Sequence, residues 1–416
     1  MTESSVQTTA ALRKFNRKAI LSEIYLRSSV SRTGLVALTG LTNTGVSRIT
    51  RELIDVGLVE EGSQLPRRGV PGRKETELSI SGVVAHIIAV SLHVDSRQIV
   101  LANALGEIKD QVNLDLSLSE SPDRVIARIG NLVLELIARN HLQKQQVIGI
   151  ALALAGKIDP LRGILKDSRI YQWQNLPIRD LLRAEVGIPV AIENLNNVIN
   201  LAESYFGQSQ DYDNILTFRV GTGYVGASLM LDGKLVRGRN SAAGLIHHVP
   251  MNASSVSCEC GQRGCLNTVS SGFGILAQYK NQKNVSFTPG DSFHHSEEIT
   301  AIIESAATGE RKAHEVLRQG GEWLGQYAAQ LAEAICPEAI VIAGKIGRSP
   351  HYMDGFNAAW KQYASHENHR AVEIIRSSKS VIEGAVQFAI DRFLLSMDLD
   401  LEPLKAITDA NDQMLA

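Results

Sequence analysis

The chain has 416 residues, 44% of them hydrophobic and 21% charged, a soluble globular composition with room for two or three domains. No apolar run approaches the roughly 20 residues of a membrane span, and the polar N-terminus does not read as a secretory signal, so the composition points to the cytoplasm and away from membrane insertion. The formal charge of −2 hides an asymmetry: residues 1–82 hold 12 Lys and Arg against 8 Asp and Glu, and the remainder holds 30 against 36. A basic segment on an acidic body suggests a nucleic-acid reader attached to something else.

Residues 11–28 have the period of an amphipathic helix, with Leu12, Phe15, Ala19, Ile20, Ile24 and Leu26 expected on one side. A short helix follows from Ser31, a plausible N-cap, and Gly40-Leu-Thr-Asn makes a turn into a second helix that begins at Thr44. Val46, Ile49, Leu53 and Val56 fall at near-helical spacing and are expected inside. That leaves Asn43, Thr44, Ser47, Arg48 and Arg51 outward. Short hydroxyl and amide side chains with arginines, on the second of two helices joined by a tight turn, suit the reading of base edges in a major groove. Two short strand patterns then flank a Gly/Pro-rich basic tip carrying Arg67, Arg68, Arg73 and Lys74, a wing whose cations can reach phosphates or a minor groove. Residues 1–82 are therefore expected to form a winged helix-turn-helix DNA-binding domain.

From residue 83 the pattern becomes α/β. Strands are expected at 84–92, 98–102 and 108–116, a helix at 122–140 and a strand buried on both faces at 147–154. A similar order recurs with strands near 214–219, 226–231 and 234–237, a helix at 311–335 and a buried strand at 339–343. This suggests a duplicated α/β body with a cleft between a first lobe (83–195, completed by about 380–400) and a second (196–379), before a tail at 401–416. Cys258, Cys260 and Cys265, spaced C-x-C-x4-C, hold three of the four cysteines of the chain. With one of His247 and His248 they supply a Cys3His set that closes a tetrahedral zinc site, a structural rather than catalytic arrangement. Adjacent strand residues point to opposite faces, so only one of the two histidines can join. Cys336 is expected as a buried small hydrophobe, and His86, His93, His294, His295 and His351, without ligand spacing, as surface or satisfied core residues.

The sequence resembles the ROK family (repressor, open reading frame, kinase), and within it the sugar-responsive repressors that carry an N-terminal winged helix. The resemblance covers nearly the whole chain and rests on Glu193-Asn194, Gly221-Thr-Gly223 with the stretch Gly233–Gly238, Ala243-Gly244-Leu-Ile-His-His248, and the cysteine cluster followed by Leu266. It implies a two-lobed actin-like, ribonuclease-H-like fold, dimeric or tetrameric, with His248 as the fourth zinc ligand and a sugar pocket beside the metal loop.

The departures from that pattern carry as much information. Kinase members have Glu-Asn-Asp, whose aspartate takes the proton of the attacking sugar hydroxyl; here the triplet ends in Leu195. Leu245 and Asn267 stand where the family offers sugar-binding glutamates, and the first-strand nucleotide motif lacks its glycine in Ser91-Leu-His-Val-Asp-Ser96. The expectation is therefore no enzyme. Gly156, Asn194, His247 and Asn267 remain as candidates to line a pocket for a sugar or sugar-phosphate effector. The reading is a cytoplasmic transcriptional regulator, a homodimeric or homotetrameric repressor of carbohydrate-related genes acting on a double-stranded operator. Its rivals are an active sugar kinase with a DNA-binding extension and a regulator that answers to a protein partner.

Overall fold

The computed structural model describes residues 9–65, 75–116, 120–251, 256–282, 292–364 and 371–415. At the N-terminus, α1 (Thr9–Arg27) is followed by β1 (Val30–Ser31), α2 (Arg32–Thr39), α3 (Asn43–Asp55), β2 (Val59–Leu65) and β3 (Glu75–Ile80). The three strands form an antiparallel sheet in the order β1-β3-β2. Local chemistry sets the helix ends. The Ser31 hydroxyl accepts from the Gly34 amide at 3.1 Å to start α2, and Thr42 does the same for Gly45 at 3.1 Å to start α3. Gly40 ends α2 at φ +68°, a left-handed position that side chains rarely adopt. Val46, Ile49, Leu53 and Val56 are buried as expected. Leu12, Phe15 and Leu26 are not: they are 47%, 53% and 51% exposed. At 100° per residue these three lie opposite the arc of Ile20, Leu21, Ile24 and Tyr25, which is the face that packs.

The body contains two five-stranded sheets built on one plan. In the first, β4 (His86–His93), β5 (Ser96–Asn103) and β6 (Ile108–Asn113) form an antiparallel meander; α4 (Pro122–Arg139) leads to β7 (Val147–Leu154), which runs parallel to β4. A small sheet of β8 (Lys157–Asp159), β9 (Ile164–Ser168) and β10 (Trp173–Leu176), not foreseen from the sequence, precedes α5 (Ile178–Val186) and β11 (Val190–Asn194), giving the order β11-β7-β4-β5-β6. After α6 (Leu195–Phe206) the plan repeats. β12 (Ile215–Val220), β13 (Val225–Leu231) and β14 (Lys234–Leu235) form the meander. α7 (Leu266–Ser270), α8 (Gly272–Tyr279), α9 (Ser292–Ala307) and α10 (Arg311–Ile335) intervene before β15 (Ala339–Ala343). α11 (Pro350–Tyr363) then leads to β16 (Glu373–Arg376), for the order β14-β13-β12-β15-β16. Read outward from the shared parallel pair, the two orders coincide, which is the duplication suggested by the sequence.

Burial follows from this layering. β7 is apolar along its length because α4 and α5 cover one face and the helix Val381–Ala389 the other. The C-terminal stretch, expected as a tail, is instead the helix Glu402–Leu415, with its Leu404 and Ile407 buried beside Leu399 and Leu401 of the preceding segment. It packs on the N-terminal unit, where the Thr408 hydroxyl donates to the Val56 carbonyl at 3.1 Å. Cys336 is also corrected. It is the left-handed C-cap of α10 (φ +49°), where the chain turns outward before Pro337, and it is exposed. No helix among the described residues is long and apolar enough to cross a membrane.

Candidate metal centre, cleft and nucleic-acid interface

The metal loop is shaped by two isolated bridges, Pro250 with Cys265 and Ser257 with Arg263, and by the left-handed glycines Gly261 (φ +87°) and Gly264 (φ +70°). His248, Cys258, Cys260 and Cys265 converge so that one donor atom from each lies within 4.8 Å of all the others. The Cys260 and Cys265 sulfurs are 3.6 Å apart, and the Cys258 sulfur is 3.3 Å from His248 Nδ1. A tetrahedral thiolate and imidazole site has donor-to-donor edges of roughly 3.5–3.8 Å, close to the two distances above, so the donor set and its spacing suit a metal ion. Burial and the neighbouring sulfurs push the Cys265 thiol up to about 12, and burial raises Cys258 as well, whereas at the exposed Cys260 desolvation is outweighed by hydrogen bonds from the loop, which lower it. His248 Nε2 faces the Glu259 carboxylate at 3.9 Å. His247 does not join. It packs against Tyr224 and His248, with ring centroids 5.3 and 4.2 Å apart, and burial, His248 and Arg169 lower it to about 4.

A cleft of about 290 Å³ opens between the two halves of the body beside this loop. Gly156, Ser168, Asn194 and Leu195 line it from the first half; Arg219, Tyr224, His247 and Glu259 line it from the second. Gly156 (φ +140°) has no room for a side chain, since a Cβ would lie 2.4 Å from the Asp167 carbonyl. Asn194 is held tightly: its Oδ1 accepts from the Asn196 amide to cap α6 and its Nδ2 donates to the Gly156 carbonyl, each at 2.9 Å. Glu193 behind it is buried and takes both the Nε (3.1 Å) and Nη2 (2.8 Å) of Arg237. Asn267 is a correction to the expected set. Its Oδ1 accepts from the Val225 amide (3.1 Å) and its Nδ2 donates to the Gly223 carbonyl (3.0 Å), so it braces the Gly221–Gly223 loop from behind and does not line the cleft. Leu195 is buried at the start of α6 and offers no proton acceptor.

Sequence reasoning missed the polar end of this cleft. Asp95, in the β4–β5 turn, accepts from Thr222 (2.8 Å) and Ser296 (2.7 Å) and faces Arg219 Nη2 at 3.5 Å. Burial alone would raise Asp95; His93, Arg219 and those hydroxyls turn the net shift downward. His93 is buried, its Nδ1 accepts from the Asp95 amide at 3.1 Å, and burial with Arg219 nearby lowers it to about 3. It is thus neither a surface nor a fully satisfied residue, for Nε2 has no hydrogen-bond partner among the described residues. These groups come from distant segments, and only the family-position motif at 91–96 hinted at them.

At the N-terminus, Thr44, Ser47, Arg48 and Arg51 recur at intervals of three and four on α3, opposite the buried Val46, Ile49 and Leu53. All four are exposed, as is Asn43, and neither arginine makes an ion pair among the described residues. The C-terminal helix borders this face through Glu402 and Lys405. Arg67, Arg68, Arg73 and Lys74 lie outside the described residues, between β2 and β3.

The profile described as ROK family matches residues 87–390. Over 339 residues the chain is 29% identical to the xylose repressor of Caldicellulosiruptor bescii, covering 80% of this chain and 84% of that one. It is 27% identical over 351 residues to the DNA-binding transcriptional dual regulator NagC of Escherichia coli K12, covering 83% and 84%. Among solved structures, a ROK family transcriptional regulator described as a homolog of the E. coli MLC protein superposes with a TM-score of 0.76 at 23% identity, over 96% of this chain and all of that one. A ROK hexokinase from Thermus thermophilus superposes with a TM-score of 0.58 at 23% identity, over 74% and 98%.

Proposed function

The chain belongs to the ROK family, and on that premise we propose that it is a DNA-binding transcriptional regulator, a repressor of carbohydrate-related genes, with a sugar-kinase-like body that has no kinase activity. The observation that carries this reading is the stripe of Thr44, Ser47, Arg48 and Arg51: four exposed side chains of base-reading type, in register on one helix face. Residues 1–82 act as a winged helix-turn-helix. Asn43, Thr44, Ser47 and Arg48 read bases, while Arg51 and the wing cations Arg67, Arg68, Arg73 and Lys74 hold phosphates or enter the minor groove. A homodimer or larger symmetric assembly would place two such helices on a roughly palindromic operator.

The body, divided into lobes at about residue 195, serves as the effector domain, with Gly156, Asn194 and His247 at a pocket for a sugar or sugar phosphate. His248, Cys258, Cys260 and Cys265 hold zinc, which supplies a structural cross-link to the loop that forms one wall of the cleft. A hydroxyl bound near Leu195 meets a hydrocarbon where phosphoryl transfer needs a base, which supports the absence of catalysis. Mapping of bound DNA across the source genome, with a coupled ATP-consumption assay over a sugar panel, tests both halves of the reading. Discrete palindromic sites near carbohydrate genes and no sugar-dependent ATP turnover are expected; hexose-dependent turnover, or no binding to duplex DNA at low salt, refutes it.

A further inference from the structure

We propose that Glu259, between the first two cysteines of the metal loop, is the carboxylate that reads the effector's hydroxyls across the cleft from Ser168 and Arg169, and that the effector is a neutral polyol. The inference rests on the sugar-responsive reading above and assigns it a residue and a ligand class. A site that selects a polyol needs acceptors fixed in place, because each hydroxyl left unpaired on burial is penalised. Leu195 and Leu245 offer none, and Asn267 is spent on two backbone groups. Asp95 is engaged by Thr222, Ser296 and Arg219. Glu259 is differently placed. Oε1 takes Arg169 Nη1 at 2.9 Å and Oε2 takes the Tyr224 hydroxyl at 3.1 Å. A carboxylate has about four acceptor positions, so both oxygens retain capacity toward the cleft they line.

A second observation comes from the opposite wall. Ser168, at the end of β9 and 1% exposed, is among the residues that line the cleft, and its hydroxyl has no hydrogen-bond partner among the described residues. Several buried polar atoms elsewhere share this condition; what sets Ser168 apart is its place in the cleft lining, where a bound hydroxyl would complete its bonding. Ser168 and Arg169 belong to the first half of the body and Glu259 to the second, so a ligand held by both favours the arrangement in which the halves are close. The charge balance selects the ligand class. Asp95, Asp167 and Glu259 among the lining side chains equal Lys157, Arg169 and Arg219 in number. Arg169 and Arg219 are already paired with Glu259 and Asp95, so the lining has no net positive charge for a phosphate.

The test is isothermal titration of the full-length, metal-loaded protein with D-xylose, D-glucose and N-acetylglucosamine, and with the 6-phosphates of the last two. At least one neutral sugar is expected to bind, more tightly than any phosphate, and Glu259→Gln and Ser168→Ala should each weaken it tenfold or more. Metal content and thermal midpoint report on folding, and Ser168→Ala, outside the metal loop, decides the matter should Glu259→Gln lose its ion. Unchanged affinity in Ser168→Ala and in a metal-loaded Glu259→Gln overturns the assignment while leaving sugar regulation standing. Tighter binding of a phosphate overturns the neutral class. No binding of any of the five by the wild type overturns this inference together with the sugar-responsive reading.

Discussion

Replacing Arg48 by alanine separates base reading from mere attraction to DNA. The side chain is exposed on α3 between Thr44 and Arg51 and has no ion pair among the described residues. Its removal therefore costs the fold within about 0.5 kcal/mol, as for other surface substitutions without partners. On DNA a bidentate arginine contact to a base edge is worth roughly 1–3 kcal/mol of discrimination, about 5- to 150-fold in affinity for the half-site it reads. Lys74→Ala, on the proposed wing, should act otherwise: all sequences weaken alike, and the slope of log affinity against log salt falls by about 0.9 for each phosphate the side chain had neutralised. Fluorescence anisotropy with an operator duplex and a scrambled duplex, across roughly 50–200 mM salt, resolves the two. If Arg48→Ala weakens both duplexes equally, the helix does not read bases through this residue and the assignment of α3 fails.

Other outcomes follow from the body. Cys260→Ser should lose the metal and lower the thermal midpoint, checked by metal analysis beside calorimetry; full metal occupancy in the variant would contradict the ligand set. Arg17→Met removes the Nη2 bond to the Leu399 carbonyl (2.5 Å) and the 3.6 Å pairing with Glu52. A charged, buried hydrogen bond of this kind is worth about 1.5–3 kcal/mol, read from denaturant midpoints. Acid should destabilise the wild type early. His93 is held at about 3 and His247 at about 4 in the fold, against roughly 6.5 when unfolded. As pH falls from about 6.5 the unfolded chain takes up protons that the native one refuses, so each costs up to about 1.4 kcal/mol per pH unit until its folded value is reached. His93→Asn should flatten the slope of stability against pH between pH 6 and 4, measured by urea unfolding.

Much of this was legible in the sequence because it depends on local chemistry. The period of Val46, Ile49 and Leu53 fixed the outward face of α3, and the cysteine spacing brought three donors together in one loop. The repeated order of strands followed from hydrophobic runs such as Val147–Leu154. Failures occurred where a side chain's fate is decided by a remote segment. Leu12 and Phe15 look buried by period, but α1 turns its Ile20 and Ile24 face inward because the first sheet lies there. Asn267 looks like a pocket residue, yet its partners are backbone groups 42 and 44 residues away. Asp95, Arg219 and Ser296 meet from three separate segments, and no spacing rule connects them.

One helix joins the cleft to the N-terminal unit. α6 begins with Leu195 and Asn196 in the cleft wall and ends at Phe206, whose ring meets Tyr25 of α1 edge-on at 5.4 Å. Its 12 residues span about 18 Å as a single rod. The N-terminal unit is not loosely tethered: Ile20, Leu21 and Ile24 share one buried cluster with Ile87, Val198, Val386 and Leu404, and the Tyr25 hydroxyl donates to Gln387 Oε1 at 3.3 Å. Packed interiors shift between discrete arrangements more readily than they bend, so a displacement at Leu195 is expected to be felt at α1. Phe206→Ala, at a side chain 41% exposed, removes the ring pairing while leaving both ends of the rod in place. Operator affinity and effector affinity measured separately should then stay within a few-fold of wild type, while the change in one caused by saturating the other falls toward unity. Reciprocity requires the same loss in both directions, so undiminished coupling in the variant, measured either way, would show that the signal does not pass through the Phe206–Tyr25 pair.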